Sequence, residues 1–198
     1  DLAVGYGNLV LLHGLNLTLR YGSRAVLTGP NGCGKTTLLR TIAGQIPQLA
    51  GRVRLGSQVR LGYMAQEQEN LDPQLTPFEA LQRIAGLPET ETRAFLSLYL
   101  FKGDDVFVPI SNLSFGERSR LTLATLVAQG SNLLLLDEPI NHLDIPSRTC
   151  FEQALAQFKG SVLVVVHDRY FIEGFATEIW KVRGQGIQRI DLRLAPFV

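Results

Sequence analysis

The pattern of hydrophobic and polar positions predicts a mixed α/β chain. Residues 1 to about 28 alternate short apolar runs with glycine-containing turns, which is typical of an antiparallel β layer. Residues 133–136 and 162–166 are continuously apolar, as expected of parallel strands that are buried on both faces. Residues 51–55 and 59–64 are predicted to form two further strands.

From about residue 71 to residue 129 the apolar positions take helical spacing instead. Thr76 resembles a helix N-cap, with Pro77 at the first helical position and Glu79 at the third. Residues 89–100 are predicted to form a further helix, and residues 113–117 are predicted to open another that runs to about residue 129. We therefore predict one domain over residues 1–198, with a core lobe at about 1–66 and 130–198 and an inserted helical subdomain at about 67–129.

Composition narrows the class of protein. The 198 residues are 45% hydrophobic and 19% charged, which is an ordinary globular balance, and the net charge of +1 gives no overall field for nucleic acid. Cys33 and Cys150 do not suggest a disulfide framework, and no apolar run reaches the about 20 residues that cross a bilayer. We expect a cytoplasmic protein without direct membrane insertion. The first residue, Asp1, and the single methionine, Met64, suggest a piece of a longer polypeptide.

Residues 29–36 match the phosphate-binding P-loop pattern G-x-x-x-x-G-K-[ST]. An apolar run precedes them and a helical pattern follows them, as the P-loop context requires. The glycines allow backbone N–H groups to approach phosphate oxygens, while the lysine adds a positive charge and the threonine hydroxyl a ligand for Mg²⁺. The segment predicts a nucleoside triphosphate site formed by Gly29, Pro30, Asn31, Gly32, Cys33, Gly34, Lys35, Thr36 and the following Thr37.

Two carboxylates follow the buried run at residues 133–136. In P-loop enzymes the acid at the end of such a strand holds Mg²⁺, which assigns that role to Asp137. Glu138, one residue further on, is placed to polarise the attacking water. His167 ends the second buried run; a lone histidine there is more often structural, although this one could reach a γ-phosphate.

Two other features have competing interpretations. Ser114 and Glu117 form a capping box, which needs no ligand to explain it, although an exposed helix N-terminus also binds anions. Tyr6 lies 23 positions before Gly29 and could stack on a purine ring, or it could be a half-buried strand tyrosine.

Taken in order, these segments resemble the nucleotide-binding domain of ATP-binding-cassette (ABC) proteins over essentially the whole chain. The resemblance implies a two-lobed P-loop domain with an antiparallel β layer and an inserted helical subdomain. It rests on the P-loop, Gln66 after a strand, LSFGE at 113–117, LLLLDEP at 133–139, NHLD at 141–144 and VVHDRYF at 165–171.

The resemblance also implies roles for individual residues. ATP would lie between the P-loop of one cassette and the signature helix of a second, supplied by the same polypeptide or by a homodimer. The cassette would hydrolyse ATP with Mg²⁺ as cofactor, and would be a poor ATPase when isolated, since half of each composite site would be missing. The implied assignments are Gln66 as a Mg²⁺ ligand, Glu138 as catalytic base, His167 as γ-phosphate contact, Tyr6 as adenine-stacking aromatic, Asp144 in communication between sites, and Ser114, Phe115, Gly116 and Glu117 as the signature that serves the partner's nucleotide.

Four further sequence stretches are similar to those of the ABC-F group, most of all to those of its second cassette. The similar stretches are GERSRLTLA at 116–124, NHLD, HDRYF at 167–171 and FKGDDVF at 101–107. Membership would imply a translation factor or a ribosome-protecting resistance protein, with contacts to rRNA or tRNA; the alternative is the ATPase subunit of a membrane transporter. The chain departs from the usual signature at Phe115, where glycine is common, and at Ile140, where threonine is common.

Overall fold

A computed structural model describes residues 1–66, 71–141 and 143–192. Residues 67–70, where the predicted helical subdomain begins, and His142 of the NHLD motif lie outside the described residues. The strands are β1 (Leu2–Tyr6), β2 (Leu9–Leu15), β3 (Arg24–Thr28), β4 (Leu61–Met64), β5 (Leu133–Asp137), β6 (Ser161–Val165), β7 (Glu178–Arg183) and β8 (Gly186–Asp191). The α-helices are α1 (Lys35–Ile42), α2 (Pro77–Ala85), α3 (Glu89–Leu98), α4 (Phe115–Ala128), α5 (Ile145–Ala156) and α6 (Arg169–Phe175).

Six strands form one sheet in the order β4-β5-β6-β3-β7-β8. The first five of these are parallel neighbours, and β8 pairs antiparallel with β7. A separate two-stranded antiparallel layer contains β1 and β2. The predicted α/β fold with an antiparallel layer is confirmed, and the carboxyl ends of β3, β4, β5 and β6 meet at one edge of the sheet.

The leucine run of β5 reflects burial of the sheet on both faces. Leu134 and Leu136 pack into a cluster with the helical elements that include α4 and α5. Leu135 points to the opposite face, where it packs with Leu38 of α1 and Leu12 of β2. Because alternate residues of a strand face opposite sides, a strand covered on both sides needs apolar residues throughout.

The prediction of two strands at residues 51–55 and 59–64 is wrong for all but the last four residues. Leu61 pairs with Leu133, which is the first residue of β5. Residues 51–60 precede the point where β5 begins, so they have no strand to pair with and lie outside the sheets. The residues with helical spacing do form helices: α2 begins with a capping box at Thr76, and α3 and α4 follow.

Candidate active site

A cleft of about 690 Å³ opens at the carboxyl ends of the parallel strands. The P-loop and the start of α1 form one side of it. The segments that follow β4, β5 and β6 supply the other polar groups, and β2 supplies one apolar residue. Its lining residues are Leu11, Asn31, Gly32, Gly34, Lys35, Thr36, Thr37, Gln66, Glu138, Asn141 and His167.

The P-loop turns directly into α1 through Gly34. Gly34 is the N-cap and has a φ of 101°, a left-handed conformation that a side chain would strain. The buried Lys35 Nζ donates hydrogen bonds to the carbonyl oxygens of Gly29 (3.0 Å) and Pro30 (2.8 Å). An ammonium group has three N–H donors, so these two bonds leave one for a phosphate oxygen. The positive end of α1 lies at the same place, which suits an anion.

Asp137 is a buried carboxylate at the end of β5. It is 1% exposed, and neither oxygen has a hydrogen-bond partner among the described residues. Burial raises the pKa of Asp137, while the nearby Thr36 hydroxyl and the Lys35 charge act in the opposite direction. Such a group is costly unless a cation neutralises it, and Mg²⁺ prefers oxygen ligands of this kind. The Asp137 carboxylate and the Thr36 hydroxyl therefore fit a Mg²⁺ site, and Gln66 lines the same cleft.

Glu138 is fixed in an unusual backbone conformation. Its φ is 52°, one of two positive values among described non-glycine residues, and its N–H donates to the Val165 carbonyl at 3.1 Å. A left-handed conformation at a residue other than glycine costs about 1 kcal/mol or more. Its side chain lines the cleft, where Oε1 lies 4.0 Å from His167 Nε2.

Asn141 lines the cleft although it is not among the residues predicted from the sequence. Its Nδ2 donates to Glu138 Oε2 at 2.5 Å. A turn brings the two residues together, since the Asn141 N–H donates to the Glu138 carbonyl at 3.2 Å. The available signal was the spacing of three between an acid and an amide directly after a strand. Leu11 also lines the cleft, and its sequence context gave no such signal.

The remaining predicted residues lie outside the lining of this cleft. Ser114 caps α4: its Oγ accepts from Glu117 N–H at 3.2 Å, and Glu117 Oε2 accepts from Ser114 N–H at 2.8 Å. Asp144 caps α5 through the Ser147 N–H at 2.8 Å. Tyr6, which is 48% exposed, ends β1. The residues outside the lining are Tyr6, Gly29, Pro30, Cys33, Ser114, Phe115, Gly116, Glu117, Asp137 and Asp144.

A second cleft, of about 780 Å³, lies at the amino ends of β5 and β6. Leucines and Trp180 supply much of its wall, and Arg52 and Arg54 also line it. None of the sequence-predicted site residues is in its lining, so it is separate from the P-loop site.

Comparison with known proteins places the chain in a family. Residues 12–141 match the family model described as ABC transporter. The chain is 43% identical to the putative ATP-binding protein YdiF of Bacillus subtilis, over 95% of this chain and 30% of the relative. It is 38% identical to the probable ATP-binding protein YheS of Escherichia coli K12, over 96% of this chain and 30% of the relative. It is 39% identical to the energy-dependent translational throttle protein EttA of Mycobacterium tuberculosis H37Rv, over 88% of this chain and 32% of the relative.

A solved structure agrees with the fold. The chain superimposes with a TM-score of 0.76 on the ATP-binding cassette MJ0796, over 98% of this chain and 99% of that one, at 20% identity. The chain therefore belongs to the ABC transporter family. Its relatives YdiF, YheS and EttA are ABC-F-type proteins. The chain spans about 30% of the length of these relatives.

Proposed function

We propose that this chain is the ATP-binding and ATP-hydrolysing cassette of an ABC-F-type protein that acts on the ribosome. The observation that carries the proposal is the joint placement of Lys35, Glu138 and His167 around one cleft beside the buried Asp137. These side chains come from three separate segments of the chain. Their convergence supplies a phosphate site, a base and a cation ligand together.

The P-loop would bind the triphosphate. The free N–H of Lys35 and the positive end of α1 would neutralise the phosphates, with Asn31, Gly32, Gly34 and Thr37 lining their path. Asp137, Thr36 and Gln66 would hold Mg²⁺. When bound, this ion supplies charge neutralisation of the phosphate oxygens.

Hydrolysis would proceed by in-line attack of water on the γ-phosphorus. The bond between this phosphorus and the β,γ-bridging oxygen breaks, and ADP and inorganic phosphate form. Glu138 would take the proton from the water through Oε1, since Asn141 already occupies Oε2. His167, 4.0 Å from Oε1, would contact the γ-phosphate.

A second cassette would complete the site. In this proposal Ser114, Phe115 and Gly116 at the N-terminus of α4 contact the partner's nucleotide, with Glu117 holding the cap, and Asp144 carries communication between the sites. Tyr6, whose half-exposed ring lies outside the cleft lining, would stack on adenine. The solved structure of MJ0796 is a dimer in a post-hydrolysis state with ADP and phosphate, which supports this assembly.

The ribosome is proposed because of the ABC-F-type relatives. EttA is named as an energy-dependent translational throttle protein, and its likeness covers 88% of this chain. We place the protein in the cytoplasm, with rRNA or tRNA as contacts. In residues 1–66, 71–141 and 143–192 no helix combines the length and hydrophobicity that crossing a membrane requires. The rival proposal is the ATPase subunit of a membrane transporter, which the description of the matched family model favours.

The experiment is co-sedimentation of the full-length protein with ribosomes, using the Glu138→Gln variant in ATP and in ADP. The variant should bind ATP and keep it between the two cassettes, because it cannot hydrolyse the nucleotide. Pelleting with ribosomes in ATP but not in ADP is the expected result. An absence of ribosome binding in both nucleotides would overturn the ribosomal function and leave the transporter as the better proposal.

A further inference from the structure

Arg148, in the first turn of α5, makes a two-pronged ion pair with Asp168. Its Nη1 and Nη2 donate to the two carboxylate oxygens of Asp168 at 2.6 and 2.5 Å. Its Nε donates to Glu152 Oε1 at 2.8 Å. The planar guanidinium is thus engaged on two edges, which fixes its orientation in a way that a lysine could not reproduce.

Asp168 is also held from its own side. It directly follows His167 and is the N-cap of α6, where its Oδ1 accepts from the Phe171 N–H at 2.8 Å. The Arg148 guanidinium and this N–H lower the pKa of Asp168 to about 2. The carboxylate therefore stays charged throughout the neutral range, and the connection persists there.

This ion pair joins the two segments that carry the candidate base and the histidine. The strands β5 and β6 pair as far as Asp137 and Val165. The Glu138 N–H adds one further hydrogen bond, to the Val165 carbonyl. His167 lies two residues beyond the end of β6, and α5 begins seven residues after Glu138. The Arg148–Asp168 pair connects the segments again beyond the ladder, next to His167.

We propose that Arg148 is a positioning residue for ATP hydrolysis, holding His167 in register with Glu138 by anchoring Asp168 to α5. This inference rests on the proposed hydrolytic function. Neither Arg148 nor Asp168 lines the cleft, so both would act through His167. Loss of the pair would then displace the histidine without changing the P-loop groups that bind ATP.

The test compares variants of the full-length protein in steady-state ATPase and ATP-binding assays. Arg148→Met keeps the side-chain stem and removes the ion pair, and should lower kcat roughly tenfold to a hundredfold with an ATP Kd within about twofold of wild type. Glu152→Gln is the matched control. It changes the other partner of Arg148 but keeps the pair with Asp168, and should leave kcat unchanged.

Measurements in a second protein background distinguish a purely structural role of Arg148 from a positioning role. In the His167→Ala protein, Arg148→Met should cause no further loss of kcat, because the residue through which Arg148 acts is already absent. Asp168→Asn, which still can cap α6, should show the same loss in the wild-type background and the same lack of effect in His167→Ala.

Three outcomes would overturn the proposal. One is an equal fold-loss of kcat in the wild-type and His167→Ala backgrounds, and another is an ATP Kd in Arg148→Met that rises well beyond the expected twofold. A third is an unchanged kcat in Arg148→Met and Asp168→Asn. Each of these leaves the proposed hydrolysis intact. A wild-type full-length protein that does not hydrolyse ATP would instead overturn the proposed function and this inference together.

Discussion

The carboxylate of Glu138 is shared between two neighbours of different kinds. Asn141 Nδ2 donates to Oε2 at 2.5 Å, while Oε1 lies 4.0 Å from His167 Nε2. The amide therefore fixes one oxygen and leaves the other directed at the histidine. A base held by one hydrogen bond keeps its orientation without losing its second acceptor oxygen.

Removing the Asn141 side-chain amide should lower the rate of ATP hydrolysis without changing ATP binding. We expect Asn141→Ala to lower kcat by about tenfold or more, because a hydrogen bond to a charged group contributes about 1.5–3 kcal/mol. The ATP Kd should stay near wild type. Asn16→Ala is the control, since Asn16 Nδ2 makes a similar but exposed bond to Asp1 Oδ1. An unchanged kcat in Asn141→Ala would remove the orienting role from this residue.

Asp137 should cost stability when no cation is bound. Its pKa is raised by burial, so the folded state binds its proton more tightly than the unfolded state does. In metal-free buffer the free energy of unfolding should therefore fall as the pH rises from the ordinary aspartate pKa through the raised one. Asp137→Asn should lack this decrease and be about 1–3 kcal/mol more stable at pH 7.

The measurement for Asp137 is urea unfolding with a chelator at several pH values, comparing wild type with Asp137→Asn. Adding Mg²⁺ and ATP should then stabilise the wild type and have less effect on the variant. A variant that is less stable than wild type in the chelator would contradict the description of Asp137 as an unpaired buried charge.

Asp168 should contribute stability with the opposite pH dependence. Its pKa lies near 2, below the ordinary value, so its contribution is complete above pH 4 and is lost as the pH falls toward 2. We expect about 1 kcal/mol, because a pair that is 24% and 30% exposed is partly screened by water. Acid titration of stability in Asp168→Asn should be flatter over this interval; an identical slope would refute the ion pair's contribution.

Gly116 should be required for packing between α4 and α5. A Cβ on this residue would lie 2.6 Å from Ser147 Cβ and 2.8 Å from its Oγ. We expect Gly116→Ala to lower stability by about 1–3 kcal/mol through overpacking. Ser147→Gly in the same chain should restore part of the loss, as measured by urea unfolding. If the double variant is no more stable than Gly116→Ala, the close contact is not the cause.

Local patterns predicted the parts of the candidate site that depend on adjacent residues. The P-loop from Gly29 to Thr36 and the acids after the leucine run could be identified because backbone turn, charge and strand end follow each other in sequence. The proximity of Asp137 to the P-loop could be predicted as well, because the carboxyl ends of parallel strands lie at one edge of the sheet.

The rest depends on contacts that a linear pattern does not show. Residues 51–60 have strand-like composition, but a strand also requires a partner, and β5 begins only opposite Leu61. The Arg148–Asp168 pair joins residues 20 positions apart, and nothing in the local sequence of either residue indicates its partner. The positive φ of Glu138 is likewise imposed by its surroundings, since a glutamate has no local preference for it.

We propose that the cleft beside the P-loop hydrolyses ATP with Glu138 as the base. The most direct test of this claim is single-turnover ATP hydrolysis by the full-length protein and its Glu138→Gln variant, with ATP binding measured in parallel. We predict equal ATP affinity and a rate in the variant that is lower by about a hundredfold or more. Hydrolysis at the wild-type rate by Glu138→Gln, with ATP bound normally, would contradict the claim.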